Sequence, residues 1–441
     1  MSPSYPSVVD ICSRLISFDS SNYGAAGSNG ERAVADYVVQ LLSAAGYEPT
    51  LLESAPTRAN VLLRVPGTDP ALPALLVHGH LDVVPAEPDQ WSVDPFGGLV
   101  QDGYVWGRGA TDMKDAVAVT LSTLLRWREN GTRPRRDVVF AFVADEEEDG
   151  AYGAQWLVDT HPDWFSGVRA AIGESGGSPV AASDGEGRVH RFYPVAAGER
   201  GTLHMTLHAT GTSGHGSRAT SDSAILHLVD AVRRIADHRW PVTLTPAGRA
   251  FLQGTTETLG IAADLSSEAG VEHALDAVGD RLGDFVRPAS RCSVNATGLR
   301  AGYKVNVLPG TAEADLDVRS VPGSEDDLLA TLDALMGPRV TRTFISDHRG
   351  VSAPVGSHWF HAMVEAVRAF DPEGVVLPFC MGGGTDAKAF AQLGIDCYGF
   401  SPLGPDPDGR EGCGMHGVDE RVPVAALESG VDILESFLTT V

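Results

Sequence analysis

Five short stretches carry side chains able to do metal chemistry. In LLVHGHLDVVP, residues 75–85, an apolar strand-like run is interrupted by His78, His80 and Asp82. GRGATDMKD, residues 107–115, leads from Gly-rich backbone to Asp112 just before a helical pattern, and ADEEEDG, residues 144–150, follows the apolar run DVVFAFV. AAIGESGG places Glu174 at the end of another apolar run, and GCGMHGVDE carries His416. Each stretch alone has a plainer reading: HxD as polar residues satisfied at a strand end, Asp112 as a helix cap, the acidic run as a solvated loop. Together they place acidic groups and imidazoles at the ends of core strands, where they would repel one another unless cations neutralised them. His80, Asp112, Glu147, Glu174 and His416 supply two neutral and three anionic ligands, so two Zn²⁺ ions and a bridging hydroxide would bring the centre to neutrality. Imidazole and carboxylate without thiolate suit a catalytic zinc pair with an open position, which cobalt or manganese could also fill. Strand residues two apart share a side, so Asp82 can hold the second nitrogen of His80.

Such residues need strands that end at one edge of a sheet. A short helix is expected around VVDICSRLISF, and SNGERAVADYVVQLLSAAGYEP reads as a second, with Ser28 and Glu31 as a capping box and Gly46 as its stop. Apolar runs at ANVLLRV, ALPALLVHGHLDVV, DVVFAFVADEE and AAIGE then alternate with the helical DAVAVTLSTLLRWREN. Continuous apolar strands between helices imply an α/β domain whose sheet is covered on both faces and is largely parallel. From about residue 197 the texture changes to two-fold alternation, in GTLHMTLHATG, CSVNATGLRAGYK, TAEADLDVRSV and RVTRTFIS, with helices over SAILHLVDAVRRIADH and DDLLATLDALM. That pattern predicts a smaller antiparallel α+β unit inserted at 197–350, between catalytic parts at 1–196 and 351–441. Residues 241–290 are the least readable part of the chain.

Composition narrows the partners. At 441 residues two domains are expected, and 43% hydrophobic with 21% charged residues is ordinary globular composition. No apolar run approaches the roughly 20 residues of a membrane helix, and MSPSYPSVVD lacks a signal peptide's basic and apolar parts, so a cytoplasmic protein is expected. The formal charge of −25 disfavours nucleic acid and anionic membrane as partners. Cys12, Cys292, Cys380, Cys397 and Cys413 are scattered, odd in number and without a CxxC pair, so they are expected to be reduced.

HGHLDVVP, GRGATDMKD, ADEEEDGAYGA, IGESGG and MHGVDERVPV, in this order, resemble the dinuclear zinc peptidase family of aminoacylases, glutamate carboxypeptidases, acetylornithine deacetylases and succinyl-diaminopimelate desuccinylases. The likeness continues through GTSGHGS, AGYKVNVLPGTAEADLDVRSVPG and GGGTDAKAF, nearly the whole chain. It implies a zinc-exopeptidase-like α/β catalytic domain with a mixed, largely parallel sheet and an inserted α+β lid and dimerisation domain. By the same resemblance His80 and Glu174 hold one metal, Glu147 and His416 the other, and Asp112 bridges them, with a cis peptide after Asp112. Asp82 orients His80, and Glu146 is the general base toward a metal-bound hydroxide mechanism. His215 stabilises the oxyanion, often from the partner subunit of a homodimer, while Asn306, Arg319, Gly384, Thr385 and Asp386 hold substrate. The acidic run is longer than the family's DEExG, which leaves Glu147 and Glu148 as an alternative base and ligand. Spacing to Gly153 favours Glu146 and Glu147, with Asp149 unexplained. For Arg319 the alternative is a surface salt bridge with Asp315 or Asp317. His78, His204, His208 and His227 read as packing or surface residues, Trp91 and Phe96 as pins for their loop, and Gly382–Gly384 as a close backbone approach to substrate.

The implied activity is cleavage of an amide next to a free carboxylate, by a dipeptidase, carboxypeptidase or N-acyl-amino-acid deacylase. A dedicated desuccinylase or deacetylase is the alternative within the class. A metal-binding regulatory protein is the alternative outside it, and retention of Glu146 weighs against that.

Overall fold

The structure, a computed structural model, describes residues 5–24, 27–148, 150–406 and 414–441, so Asp149 and Cys413 lie outside the described residues. The chain forms two compact units, Met1–Ala197 with Ala353–Pro378 and Thr385–Val441, and Gly198–Ser352 with Phe379–Gly384. Residues 379–384, expected in the catalytic part, thus cluster with the inserted unit.

In the first unit the sheet is built around Ala74–His80, which is buried along its whole length. It lies between Val138–Val143 and Val168–Gly173 and runs parallel to both. Asp396–Gly399 continues the sheet in parallel on one side, and the antiparallel pair Arg58–Val65 and Thr50–Ala55 completes it on the other. The sheet is therefore mixed, with a parallel centre. Parallel strands need long crossovers, and helix Lys114–Asn130 supplies the one between Ala74–His80 and Val138–Val143. One face of the sheet is closed by Leu157 and Val158 of helix Ala154–Thr160 and by Phe390 of helix Ala387–Ala391, packed on Leu62, Leu76, Val139 and Ala171. The other carries Lys114–Asn130 and helix Arg32–Ala44. Burying each such large aliphatic or aromatic side chain contributes roughly 1.5–3 kcal/mol, and strands covered on both faces must be apolar throughout until they emerge. Emergence is where His80, the acidic run after Val143 and Glu174 stand.

The expected capping box did not form. Helix Arg32–Ala44 has Glu31 at its N-cap position with no side-chain cap, and Ser28 Oγ accepts from Gly30 N instead. Glu31 is fully buried and grips Arg58 through both oxygens, at 3.0 and 2.9 Å, so its carboxylate serves tertiary structure rather than the helix end.

The second unit is an antiparallel sheet in the order Gly201–Thr202, Thr311–Ser320, Met205–Thr210, Val340–Phe344, with Ser293–Ala301 also on Thr311–Ser320. Alternate residues of Thr311–Ser320 point inward, and helices Ala224–Asp237 and Glu325–Met336 cover that apolar face. The least readable stretch holds helices Pro246–Leu259 and Glu268–Ala277, capped by the Thr245 and Ser267 hydroxyls. Cys12, Cys292, Cys380 and Cys397 are free thiols. No described helix is long and apolar enough to cross a membrane.

Candidate metal centre

His80 ends its strand with a fully enclosed imidazole whose Nε2 lies 3.0 Å from Asp112 Oδ1. The second oxygen of Asp112 lies 2.9 Å from Nε2 of His416, so one carboxylate faces two imidazoles, one oxygen to each. The Asp112–Met113 peptide is cis, as the resemblance implied. On the His80 side the Glu174 and Glu146 carboxylates approach Nε2 to 3.7 and 3.9 Å. On the His416 side Glu147 stands 3.2 Å away, its other oxygen accepting the Val84 N–H at 3.1 Å. The Glu148 carboxylate turns away toward Gly24. Two groups of donor atoms, His80 with Glu146 and Glu174 and His80 with Asp112 and Glu147, each lie within 4.8 Å of one another.

The electrostatics explain why such a cluster wants cations. Burial opposes charge on His80, yet Asp112, Asp82 and Glu174 outweigh it and hold the imidazole above its usual range. Asp112 and Glu147 push His416 up to about 10. Burial raises Asp112, but its contacts with His416 and His80 prevail and keep it ionised below the usual range. Glu146 is pushed well up, first by burial and then by the charges of Glu174, Asp386 and Glu147. Positive charge between these groups is thus strongly favoured. A divalent ion on the His80 side and another on the His416 side would supply it while leaving the imidazoles as neutral ligands, and nitrogen and oxygen donors without sulfur fit that use.

Asp82 has a wider part than orienting His80. His80 Nδ1 is closer to the Asp82 carbonyl, at 2.9 Å, than to its carboxylate, at 3.6 Å. The carboxylate accepts the backbone N–H of Glu146 at 3.1 Å and of Glu147 at 3.2 Å, together with the Asn22 amide at 3.0 Å.

Sequence reasoning missed the pair that holds the two ligand loops. Glu420 is fully buried and accepts from Arg108 Nη1 at 2.6 Å, Gly109 N at 3.0 Å and Thr111 N at 2.8 Å. Arg108 Nη2 also donates to the His416 carbonyl at 3.3 Å. The loop before Asp112 and the turn of His416, itself left-handed with φ 57°, are thereby tied together. Trp91, with the Arg108 guanidinium 5.2 Å from its ring centroid, completes the clamp. Both charged residues stand inside quoted motifs, but nothing local marks them as partners.

Thr385 and Asp386 belong to the first unit, where Asp386 is buried beside Gly150 and its charge acts on Glu146. Gly384, His215, Asn306 and Arg319 belong to the second unit. There the structure joins two motifs: His215 pairs with Val307, and Gly216 N donates to the Asn306 carbonyl at 2.8 Å. His215 is exposed, its Nδ1 2.8 Å from Ser217 Oγ. Arg319 is engaged by Asp317 at 2.8 and 3.3 Å and by Thr202 Oγ1 at 3.0 Å. Gly382 has a reason of its own, since a Cβ there would lie 2.6 Å from Cβ of Pro288.

Residues 76–440 match the model of peptidase family M20/M25/M40. Aminoacylase-1 of Sus scrofa is 28% identical over 88% of this chain and 84% of its own length. The human N-fatty-acyl-amino acid synthase/hydrolase PM20D1 is also 28% identical, over 85% of this chain and 75% of its own. An M20 family metallo-carboxypeptidase from Sulfolobus solfataricus superposes with a TM-score of 0.69 at 18% identity, covering 98% of this chain and 99% of its own.

Proposed function

The chain belongs to peptidase family M20/M25/M40, and on that premise we propose that it is a two-metal amidohydrolase cleaving an amide next to a free carboxylate, in dipeptides, peptide C-termini or N-acyl amino acids. The observation that carries the reading is Asp112, whose two oxygens face two imidazoles with Glu146 alongside. Two divalent cations, zinc first and cobalt or manganese as substitutes, would polarise the scissile carbonyl and activate the attacking water. His80 and Glu174 would hold one, Glu147 and His416 the other, with Asp112 between them. Glu146 takes the proton from that water and passes it to the leaving nitrogen. Burial, and then the negative charges of Glu174, Asp386 and Glu147, raise its carboxyl above the usual range, a direction that suits a group that must both accept and return a proton. His215 serves the developing oxyanion, and Asn306, Arg319, Gly384 and Thr385 hold the substrate carboxylate. That carboxylate has to compete with Asp317 for the guanidinium. Asp386, next in the same stretch, also holds substrate, and its charge bears on Glu146. The aminoacylase and fatty-acyl-amino-acid relatives support an N-acyl amino acid among the substrates. The working enzyme is proposed to be a cytoplasmic homodimer.

Metal analysis of active protein, run beside a turnover panel of N-acyl amino acids, dipeptides, acetylornithine and succinyl-diaminopimelate, tests this. Two ions per chain and turnover of the first two classes are expected. Full activity with one ion per chain, or turnover confined to acetylornithine or succinyl-diaminopimelate, would sink the reading.

A further inference from the structure

Behind the acidic run lies a buried chain of hydrogen bonds whose members are not ligands. Asn22, 6% exposed, uses its side-chain amide nitrogen twice, donating to Asp82 Oδ2 at 3.0 Å and to Asp145 Oδ1 at 3.0 Å. Its amide oxygen accepts from Gly24 N at 3.1 Å, and its backbone N donates to the Val83 carbonyl at 2.9 Å. The amide therefore has one workable orientation, because a flip would turn its oxygen toward two carboxylates. Asp145 Oδ1 also accepts from Arg58 Nη2 at 2.7 Å, and Asp145 Oδ2 from Tyr152 N at 3.1 Å. Arg58 is fixed in turn by both oxygens of Glu31 and lies over the Tyr152 ring.

These contacts converge on one short turn. Asp82 accepts the N–H groups of Glu146 and Glu147 on separate oxygens, Oδ1 and Oδ2. Asp145, held left-handed at φ 70°, opens that turn. Two buried carboxylates, Asp82 and Asp145, would repel each other across it; the Asn22 amide stands between them as a shared donor, and Arg58 is the cation on the far side. We propose that Asn22, backed by Arg58, is a positioning residue that sets Glu146 and Glu147 at the angle from which one works as base and the other as ligand. The proposal rests on those roles of Glu146 and Glu147.

The test compares Asn22→Asp, which keeps the volume and replaces two donors by an acceptor, with Asn22→Ala, Arg58→Lys and Glu146→Gln in the full-length metal-loaded protein. Kcat, KM, chelator competition for bound metal and thermal midpoint are read for each. Asn22→Asp should lower kcat by about 10- to 100-fold, leave KM within about threefold, and weaken metal retention by about 10- to 100-fold, as changes behind metal ligands do. Asn22→Ala should fall between it and wild type. Arg58→Lys, whose ammonium cannot grip Glu31 and reach Asp145 together, should lower kcat in the same direction. A side chain that only fills space would leave Asn22→Asp like wild type. Wild-type kcat and metal retention in Asn22→Asp, beside an inactive Glu146→Gln, would overturn the positioning role. So would a kcat loss that only tracks loss of folded protein. Full activity in Glu146→Gln would instead overturn the reading of the base. If Asn22→Asp does not fold, Asn22→Ala and Arg58→Lys are judged by the same criteria.

Discussion

Glu146 and Glu147 are neighbours in sequence with opposite surroundings. Glu147 is tethered by Val84 N and stands at His416, whereas Glu146 is raised above its usual range by burial and then by the negative charges around it. Glu146→Gln is therefore expected to lose roughly 10²–10⁴ in kcat with metal content intact, while Glu147→Ala loses metal. Metal analysis beside turnover decides it: near-normal turnover in Glu146→Gln with a dead, metal-replete Glu147→Gln would shift the roles by one residue. Arg319 sets a second contrast. Its guanidinium already faces Asp317, so a substrate carboxylate must outcompete an existing ion pair. Even so, a charge-assisted contact of about 1.5–3 kcal/mol corresponds to roughly 10- to 150-fold in kcat/KM. Arg319→Met should cost a free-acid substrate about that factor and barely affect its C-terminal amide. Equal losses on both would assign Arg319 to the Asp317 pair alone.

At the level of elements, the ends of three strands bring the chemistry together, and a single glycine lets the acidic turn fit against the sheet. A Cβ at Gly153 would lie 1.7 Å from the Ala144 carbonyl oxygen, a backbone atom with nowhere to go. Gly153→Ala should therefore displace the turn of Asp145–Glu148, costing about 2–3 kcal/mol of stability and a matching share of activity. A denaturation midpoint equal to wild type would show that the turn relaxes freely. The same glycine anchored the reading of the acidic run, so its spacing had a steric cause. His80, Glu147 and Glu174 stood out as candidates because polar residues ending apolar runs contradict the pattern around them, whereas Asp112 and His416, in Gly-rich stretches, stood out only as members of the set. Arg108 with Glu420, and Asn22 with Asp145, did not stand out, since those partners lie 312 and 123 residues apart and neither member violates its local pattern. Ser28 with Glu31 shows the reverse failure: a local capping signal was overridden when Arg58 claimed the carboxylate. The helices within 241–290 escaped because Gly, Thr and Pro weaken their periodicity, leaving side-chain caps as their main signature.

At the scale of the whole molecule, the proposed mechanism draws on residues of both units. The residues proposed to hold metal, and Glu146, all belong to the first unit, and His215 with Asn306 to the second. In the proposed dimer with His215 acting on its partner's site, mixing His215→Ala chains with Glu146→Gln chains should recover activity, because one of the two sites then has both groups intact. No recovery in verified heterodimers would reject action in trans. Such an experiment separates the units functionally without cutting either.

His80 and His416 share Asp112 but not their access to solvent: the first side chain is fully enclosed and the second is half exposed, at 50%. Exchange of the two proposed ions with a competitor in solution then has an order. The ion on the His416 side should leave in a fast phase, and the ion behind His80 should wait for local opening of the protein around it. Stopped-flow chelation should show two phases of equal amplitude, with a singly loaded form accumulating between them, and His416→Ala should abolish only the faster one. The protein would then have a natural half-loaded state whose lifetime is set by burial rather than by affinity.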